Sequence, residues 1–532
     1  MKILVLFLYS VIFASTALAS GDDELIQTLA PELLSKSKSD RIAAIDQIAA
    51  SSSTRKSIWL DAMIEGDLYQ VKKTDDMVIA LKEDKLYRLE SAIDGSDLGL
   101  DKKRALRKVR IDNSMRSYLR SVISLATLSS ANAEERLSAV GSLIGKADSE
   151  VVERTRLLIE EEPDERVLDS MRLMVSIHDL ENGTDEQRSE ALSFVDGRVD
   201  NPVVNSLRDL SRNSPNELVA SKATELLNKA ESKIRWYKHL ETLFFGLSLG
   251  SVLVVAAIGL AITFGVMGVI NMAHGELIML GAYTTYFIQQ LLPNHINYSL
   301  LLAVPAAFVV SGAVGIVIER TVIRHLYGRA LETLLATFGI SLILQQTVRT
   351  FVSPQNVAVI NPTWMTGSWM LNPALSLTLN RLIIIVFCLL VFAILLLIFT
   401  RTGFGLQMRA VVQNRQMARA MGIRSARVDA MTFGLGSGVA GIAGVALSQL
   451  GNVGPNLGQT YIIDSFIVVV LGGVGNLWGT LVAGVSLGIS NKILEPWAGA
   501  VLAKIILLVF IILFIQKRPG GLFPQRGRAV EN

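Results

Sequence analysis

The chain has 532 residues, of which 50% are hydrophobic and 19% are charged, below the charged share of about 25% in an average soluble protein. Residues 1–239 contain 34 Lys+Arg and 40 Asp+Glu, whereas residues 240–532 contain 17 and 8. An acidic front part is therefore joined to a sparsely charged basic part, which excludes a single soluble domain. The one cysteine, Cys388, excludes an intrachain disulfide and a Cys-rich metal site.

The first 19 residues predict export. They combine the basic Lys2 with an apolar stretch and with Ala17 and Ala19 at the spacing of a signal-peptidase site. We expect a signal peptide at 1–19, and the alternative is an uncleaved anchor helix. In both cases the residues that follow are exported.

Residues 20–238 predict a mostly helical periplasmic domain with a small β insertion. Apolar residues recur every three or four positions, as in amphipathic helices, and short strand-like runs lie between Tyr69 and Ser91. From Glu134 onward, paired short helices resemble HEAT-like repeats, whose stacked units form an interaction surface. A structural spacer and a docking platform are both consistent with this pattern. No catalytic constellation, cofactor motif or metal site is evident, so we expect a protein that is not an enzyme.

The second half, 239–517, predicts a polytopic α-helical membrane domain, followed by a tail at 518–532. About 20 apolar residues cross the hydrocarbon core of a bilayer, and long uncharged windows begin after Glu241. The predicted fold class is therefore mainly α, with about nine spans, at 241–264, 268–290, 298–319, 331–352, 381–400, 427–450, 461–475, 478–494 and 499–516.

Loop charge predicts the orientation of these spans. Arginines and lysines concentrate in 320–330, 401–426 and 517–532, whereas the loops 291–297, 353–380 and 451–460 contain none. Cytoplasmic loops carry such an excess. We therefore expect a multi-pass protein of the bacterial inner membrane, with its N-terminal domain in the periplasm and its C-terminus in the cytoplasm. The basic excess does not form one polar face, so nucleic acid is not an expected partner, whereas membrane lipid is.

Polar residues at membrane depth are candidates for a substrate pathway. Glu276 lies with Asn271 and His274 at the break between the first two spans, near the start of the second, and an ionisable residue at the bilayer centre costs at least about 2.5–3.5 kcal/mol. The alternative is that Asn271 and Glu276 cap a helix start. Asp464 is a further candidate, with the alternative of a helix N-terminal residue at the outer interface, and Lys504 is expected to extend toward that interface.

The basic cytoplasmic loop 401–426 predicts a docking helix. It favours helix from Leu406 to Met421, and Gly422 is a suitable C-terminal stop. An exposed helix of this kind can fit a groove in a partner protein, and the alternative is ordinary positive charge at an anionic membrane face. The candidate coupling residues are Leu406, Arg409, Arg415, Arg419 and Gly422.

The glycine-rich run LGGVGNLWG at 471–479 predicts a tight turn between two spans. It follows no soluble strand and lacks the spacing of a dinucleotide-binding loop, so helix packing is the better interpretation. The residues concerned are Gly472, Gly473, Gly475 and Gly479.

Four sequence blocks make the membrane half recognisable. Across 240–525 the chain resembles the permease subunits of branched-chain amino-acid type ABC importers. The blocks are GLSLGSVLVVAAIGLAITFGVMGVINMAHGELIMLGAY at 246–283, RTGFGLQMRAVVQNRQMARAMGI at 401–423, LGGVGNLWG at 471–479 and RPGGLFP at 518–524. The signal peptide and the exported helical domain are most like the urea permease branch of that family.

The resemblance implies a second related permease subunit, two cytoplasmic ATP-binding subunits that drive transport, and a periplasmic solute-binding protein. The expected solute is urea, and the alternative is a branched-chain amino acid or another amide. The family's coupling helix matches approximately 406–422, and no substrate carboxylate is carried over from the family. An ATP-independent channel or a membrane sensor is a less favoured interpretation, because a channel needs no docking helix and a sensor usually has a signalling module after the last span.

Overall fold

The computed structural model describes residues 23–523, except residues 52, 84, 85, 129 and 131. The predicted signal peptide at 1–19 and residues 524–532 of the predicted tail lie outside the described residues. The chain forms two compact units, with the boundary between Ser232 and Lys233. The domain bounds and the roles assigned to them from the sequence remain predictions.

The front unit begins with short helices that pack on a β-sheet. Trp59 and Met63 are fully buried in their shared core, and Trp59 Nε1 donates a hydrogen bond to Ala92 O (2.7 Å). The helices are α1 (Leu25–Thr28), α2 (Ala30–Leu33), α3 (Lys38–Ala50) and α4 (Lys56–Glu65).

The sheet is antiparallel and has five strands in the order β4-β3-β2-β1-β5. The sequence predicted strands only between Tyr69 and Ser91, and the structure adds β4 and β5. These two are short and largely exposed edge strands. Strand β5 is too short to show an alternation, whereas β4 does alternate Leu98 and Leu100 with polar or small residues, a signal that the prediction did not use. The strands are β1 (Leu68–Val71), β2 (Met77–Glu83), β3 (Leu86–Ser91), β4 (Asp97–Asp101) and β5 (Leu106–Lys108).

Capped helices complete the front unit. Asp148 and Asp164 accept hydrogen bonds from backbone N–H groups in the first turns of their helices, and Thr184 forms a capping box with Gln187. The helices are α5 (Asn113–Leu128), α6 (Ala133–Leu143), α7 (Ser149–Ile159), α8 (Glu165–Asn182), α9 (Asp185–Phe194) and α10 (Asn201–Asn213). Helix α8 packs against α6, α7, α9 and α10. The HEAT-like assignment stays a prediction.

The second unit is helical apart from a hairpin in 353–380, which the sequence did not predict. Its first helix, α11, extends to Met267. The elements are α11 (Glu217–Met267), α12 (His274–Leu291), α13 (Ile296–Thr321), α14 (Ala330–Phe351), β6 (Ser368–Asn372), β7 (Leu375–Thr378), α15 (Leu379–Arg401), α16 (Gly403–Gln413), α17 (Arg415–Ala420), α18 (Ser425–Ser448), α19 (Leu457–Gly472) and α20 (Leu477–Lys517).

Within the described chain, six helices are long and apolar enough to cross a membrane: α11, α13, α14, α15, α18 and α20. Helices α12 and α19 occupy two further predicted span ranges, but α19 has only 16 residues. Helix α20 contains a kink at Gly499, where φ is 76° and ψ is 161°, and this residue lies at the predicted junction of the last two spans. The count of nine spans stays a prediction.

Helix α18 is held close to its neighbours by glycines. A Cβ on Gly436 would lie 2.6 Å from Gly259 O of α11, and a Cβ on Gly441 would lie 2.6 Å from Ala307 O of α13. A Cβ on Gly444 would meet the backbone of α12. Small residues permit this close backbone approach in membrane helices, so a displacement of α18 acts directly on three other helices.

Candidate functional site

The start of α12 is formed by a break in the chain after α11. Gly268 adopts a positive φ of 68°, a conformation that favours glycine. Asn271 Oδ1 then accepts a hydrogen bond from Ala273 N (3.0 Å), and α12 begins at His274. This contact lies before the helix, whose N-cap is Ala273 and which has no side-chain cap, so the predicted capping of the helix start by Asn271 is wrong.

Glu276 lies in the first turn of α12, but its side chain contacts another helix. Ser341 Oγ of α14 donates a hydrogen bond to Glu276 Oε1 (3.1 Å). The residue is 1% exposed, and its other oxygen, Oε2, has no hydrogen-bond partner among the described residues. A buried polar atom normally has a partner, so Oε2 retains an unused hydrogen-bond acceptor in this packed arrangement.

A row of polar residues on α14 faces this carboxylate. Thr337, Ser341 and Gln345 follow each other at four-residue spacing and are all buried, so they lie on one face of the helix. The row was missed in the sequence, although its i, i+4, i+8 spacing inside an apolar helix is a visible signal. Together with Glu276 and Arg349, these three residues are called the polar seam below.

Backbone and side-chain groups of other elements close the polar seam. Thr337 Oγ1 accepts a hydrogen bond from Met272 N (3.1 Å), and Gln345 Nε2 donates one to Pro455 O (3.2 Å). Arg349 Nη2 donates to Asn456 Oδ1 (2.6 Å). Helix α14 is therefore attached along this face by polar contacts, which water or a polar solute can replace at lower cost than apolar packing.

His274 lies apart from Glu276, on another face of α12. Its Nε2 is 2.9 Å from Ala256 O of α11, so this nitrogen carries the proton, because a carbonyl oxygen only accepts. Its Nδ1 has no partner among the described residues. The sequence grouped Asn271, His274 and Glu276 as pathway candidates, and the structure places only Glu276 in the polar seam.

Asp464 forms an ion pair with Lys504, with Lys504 Nζ 2.9 Å from Asp464 Oδ2. Asp464 is the eighth residue of α19, so the alternative of a helix N-terminal residue is wrong. The extension of Lys504 to the interface stays a prediction. Its ammonium group is held by the Asp464 carboxylate, and a buried charge is stabilised by an opposite charge. This pair joins α19 to α20.

The loop 401–426 contains two helices instead of the one predicted from Leu406 to Met421. Asn414 separates α16 from α17 because its φ of −153° is extended, and its side chain caps α17 by accepting a hydrogen bond from Met417 N. The stop at Gly422 has the expected backbone geometry, with φ at 87°. The break divides the loop into two short helices.

The arginines proposed for docking have partners within the protein, although Arg409 and Arg419 remain exposed. Arg409 donates to Phe399 O, Arg415 pairs with Asp429, and Arg419 Nε donates to Ser425 Oγ (2.7 Å). The loop also exposes three large apolar side chains, which are together called the apolar docking patch below: Leu406 (61% exposed), Met417 (62%) and Met421 (82%).

The glycine-rich turn packs its two helix ends together. A Cβ on Gly472 would lie 2.5 Å from the carbonyl carbon of Gly479, so neither position has space for a side chain. Gly473 and Gly475 have positive φ values of 99° and 81°. After α20, Leu522 N donates a hydrogen bond to Leu471 O (2.8 Å), which fixes the end of the described chain to this turn.

No cluster of three metal-ligating side chains occurs in the part of the chain that the structure describes.

Comparisons with known proteins cover the second unit. The family model described as "Branched-chain amino acid transport system / permease component" matches residues 242–515. The permease BraD of a high-affinity branched-chain amino acid transport system in Pseudomonas aeruginosa is 31% identical over 297 residues, which are 54% of this chain and 96% of BraD. The permease LivH of the corresponding Escherichia coli system is 30% identical over 293 residues, which are 53% of this chain and 94% of LivH.

A further relative is similar to a smaller part of this chain. The ribose import permease RbsC of Bacillus subtilis is 30% identical over 140 residues, which are 24% of this chain and 44% of RbsC. No solved structure matches the chain. The family match covers more than half of the residues, and the similarity spans nearly the whole length of BraD and LivH. This chain belongs to the family of permease components of branched-chain amino acid ABC transporters.

Proposed function

We propose that this chain forms part of the transmembrane path of an ABC importer, and that a small polar solute passes along the polar seam. The observation that carries the proposal is the buried Glu276 carboxylate with one unpartnered oxygen in a row of hydroxyl and amide groups. Such groups replace the hydration of a polar solute during passage. The positive-inside pattern supports a periplasmic N-terminal domain and a cytoplasmic C-terminus in the bacterial inner membrane.

The energy for transport comes from separate subunits in this proposal. Family membership implies ATP-binding and substrate-binding partners, and we propose two cytoplasmic ATPases, a second related permease and a periplasmic binding protein. The apolar docking patch supports ATPase contact, because exposed apolar side chains at the tip of a basic loop are suited to a hydrophobic groove.

The first candidate solute is a branched-chain amino acid. BraD and LivH are named as permeases for this substrate class and are similar to this chain over nearly their whole length. The ammonium group of an amino acid is complementary to the Glu276 carboxylate. The guanidinium of Arg349 is complementary to the carboxylate of the solute, although it stands eight residues beyond Ser341, about 12 Å farther along α14.

The second candidate solute is urea. The front unit lies outside the family match at 242–515, so this chain has a large region that the family model does not match, and we propose that this region is exported. An exported helical domain before the permease is the architecture that resembles the urea branch. Urea is neutral and has four N–H donors, which suit the acceptors Glu276 Oε2 and Ser341 Oγ without requiring a cation.

Uptake of labelled solutes separates the two candidates. Cells that lack this gene and cells that regain it would be given radiolabelled leucine and urea in parallel, with Glu276→Gln as a variant. Restored leucine uptake supports the first candidate, and restored urea uptake supports the second. If the uptake of each solute is the same in cells with and without the gene, both proposals are contradicted.

A further inference from the structure

A buried ion pair connects the cytoplasmic loop to α18. Arg415 of α17 contacts Asp429 through two hydrogen bonds, Nη1 to Oδ2 at 2.8 Å and Nη2 to Oδ1 at 2.9 Å. The Asp429 side chain is 1% exposed and that of Arg415 is 30% exposed. A two-bond arginine–carboxylate contact fixes orientation as well as distance. Helix α17 is therefore attached rigidly to the first turns of α18.

The same arginine also contacts the connection between α13 and α14. The Arg415 guanidinium lies over the Tyr327 ring, 5.2 Å from its centroid. Tyr327 Oη donates a hydrogen bond to Glu319 Oε1 of α13 (3.2 Å), and Arg320 Nε is 3.7 Å from the other Glu319 oxygen. Glu319 is 1% exposed. One side chain on the loop thus joins two membrane helices through buried, charged contacts.

The position of α18 gives this connection a mechanical consequence. Its glycines bring it into backbone contact with α11, α12 and α13, and α12 carries Glu276 of the polar seam. Packed interiors transmit displacement because they have little free space. A movement of α17 therefore passes to α18 through the Arg415–Asp429 pair and then to α12.

We propose that Arg415 and Asp429 are positioning residues that couple movement of the cytoplasmic loop to movement of α18 and the polar seam. This inference rests on the proposed function as an ATP-driven permease. It assigns different tasks to neighbouring parts of the loop: the apolar docking patch contacts the ATPase, and the Arg415–Asp429 pair transmits the displacement. A pair that only stabilises the fold would change the amount of protein without changing the solute transported per ATP.

The experiment measures ATP hydrolysis and solute uptake in proteoliposomes that contain the complete transporter. The variants are Arg415→Gln, Asp429→Asn and the double exchange Arg415→Asp with Asp429→Arg. The control is Arg427→Gln, which removes an exposed arginine near the same loop. A second double variant, Arg415→Met with Asp429→Leu, replaces the pair by apolar side chains and leaves no buried charge.

We expect the ATPases to co-purify with each single variant, because the apolar docking patch is unchanged. Solute uptake per ATP falls by about 2- to 30-fold, the range of coupling changes seen for residues between sites. The exchange variant recovers part of the wild-type solute uptake per ATP, and the Arg427→Gln control has the wild-type value. If the single variants do not assemble, the apolar double variant provides the test. We expect its solute uptake per ATP to be lower than that of the wild type.

An assembled Arg415→Gln transporter with the wild-type ratio would overturn the inference, as would an apolar double variant with that ratio. The proposed function fails separately, if the wild-type complex shows no ATP-dependent uptake.

Discussion

Ser341 and Glu276 join α14 to α12 by a buried hydrogen bond, with Ser341 Oγ 3.1 Å from Glu276 Oε1. The contact lies near the middle of α14, where a carboxylate is costly in hydrocarbon. The serine satisfies one oxygen and leaves the other without a partner among the described residues. This incomplete pairing distinguishes Glu276 from Asp464, whose charge is compensated by Lys504.

Replacement of Glu276 tests the polar seam. Glu276→Gln keeps the shape but removes the charged acceptor, and a hydrogen bond to a charged group contributes about 1.5–3 kcal/mol. We expect solute uptake to fall by about 10- to 100-fold, with normal ATPase co-purification. Ser341→Ala is a milder companion variant, because it leaves the carboxylate in place. Wild-type uptake by Glu276→Gln would show that the solute follows another route.

The glycines of α18 provide a test of helix packing. Gly441→Ala places a Cβ 2.6 Å from Ala307 O and from Ser311 Oγ, and such overpacking costs about 1–3 kcal/mol. We expect a lower melting temperature in detergent. Gly339→Ala on α14 is the matched control, since its Cβ would meet nothing within 4 Å. Equal melting temperatures for the two variants would contradict the close packing of α18.

The apolar docking patch predicts which loop residues the ATPase contacts. Met417→Asp and Met421→Asp place charges on exposed apolar positions of the loop and should abolish ATPase co-purification. Met370→Asp is the control, because Met370 is similarly exposed, at 74%, but lies in the hairpin strand β6 of the loop predicted to face the periplasm. Undiminished ATPase recovery with both loop variants would exclude these residues from the interface.

A buried ion pair in the front unit predicts a pH-dependent stability. Arg136 donates two hydrogen bonds to Glu162, at 2.9 and 2.7 Å, and they hold the pKa of Glu162 below its ordinary value of 4.5. Because the folded pKa is the lower one, the stabilisation is present above about pH 4.5 and is lost as the pH falls through the lowered pKa.

Glu162→Gln should therefore lower the melting temperature of the front unit at pH 7, and the difference from wild type should shrink near pH 4. The measurement is thermal unfolding of the full chain followed by tryptophan fluorescence. Glu225→Gln is the control, because Glu225 and its lysine partners are exposed and exposed pairs contribute little. A difference that stays constant between pH 7 and pH 4 would contradict this role of the Arg136–Glu162 pair.

The sequence predicts helix positions in the second unit well, because apolar length and loop charge are local signals. Prediction from the sequence fails where the role of a side chain depends on a contact with a residue of another helix. Arg415 has the sequence context of a surface docking residue, and only the fold shows that Asp429 faces it. The polar row on α14 was likewise missed, since its meaning depends on the opposing Glu276. Asn414 breaks the loop helix through its own capping contact, which a helix propensity averaged over the loop does not reveal.

The most direct test of the central claim is uptake into proteoliposomes that contain this chain, its related permease, the two ATPases and the binding protein. An ATP-driven permease predicts accumulation of leucine or urea against a gradient only when ATP and the binding protein are both present, and predicts that Glu276→Gln lowers uptake by about 10- to 100-fold while ATPase assembly is kept. Equilibration of the solute without ATP would contradict an ATP-driven permease. Accumulation that the Glu276→Gln substitution does not change would contradict passage of the solute along the polar seam.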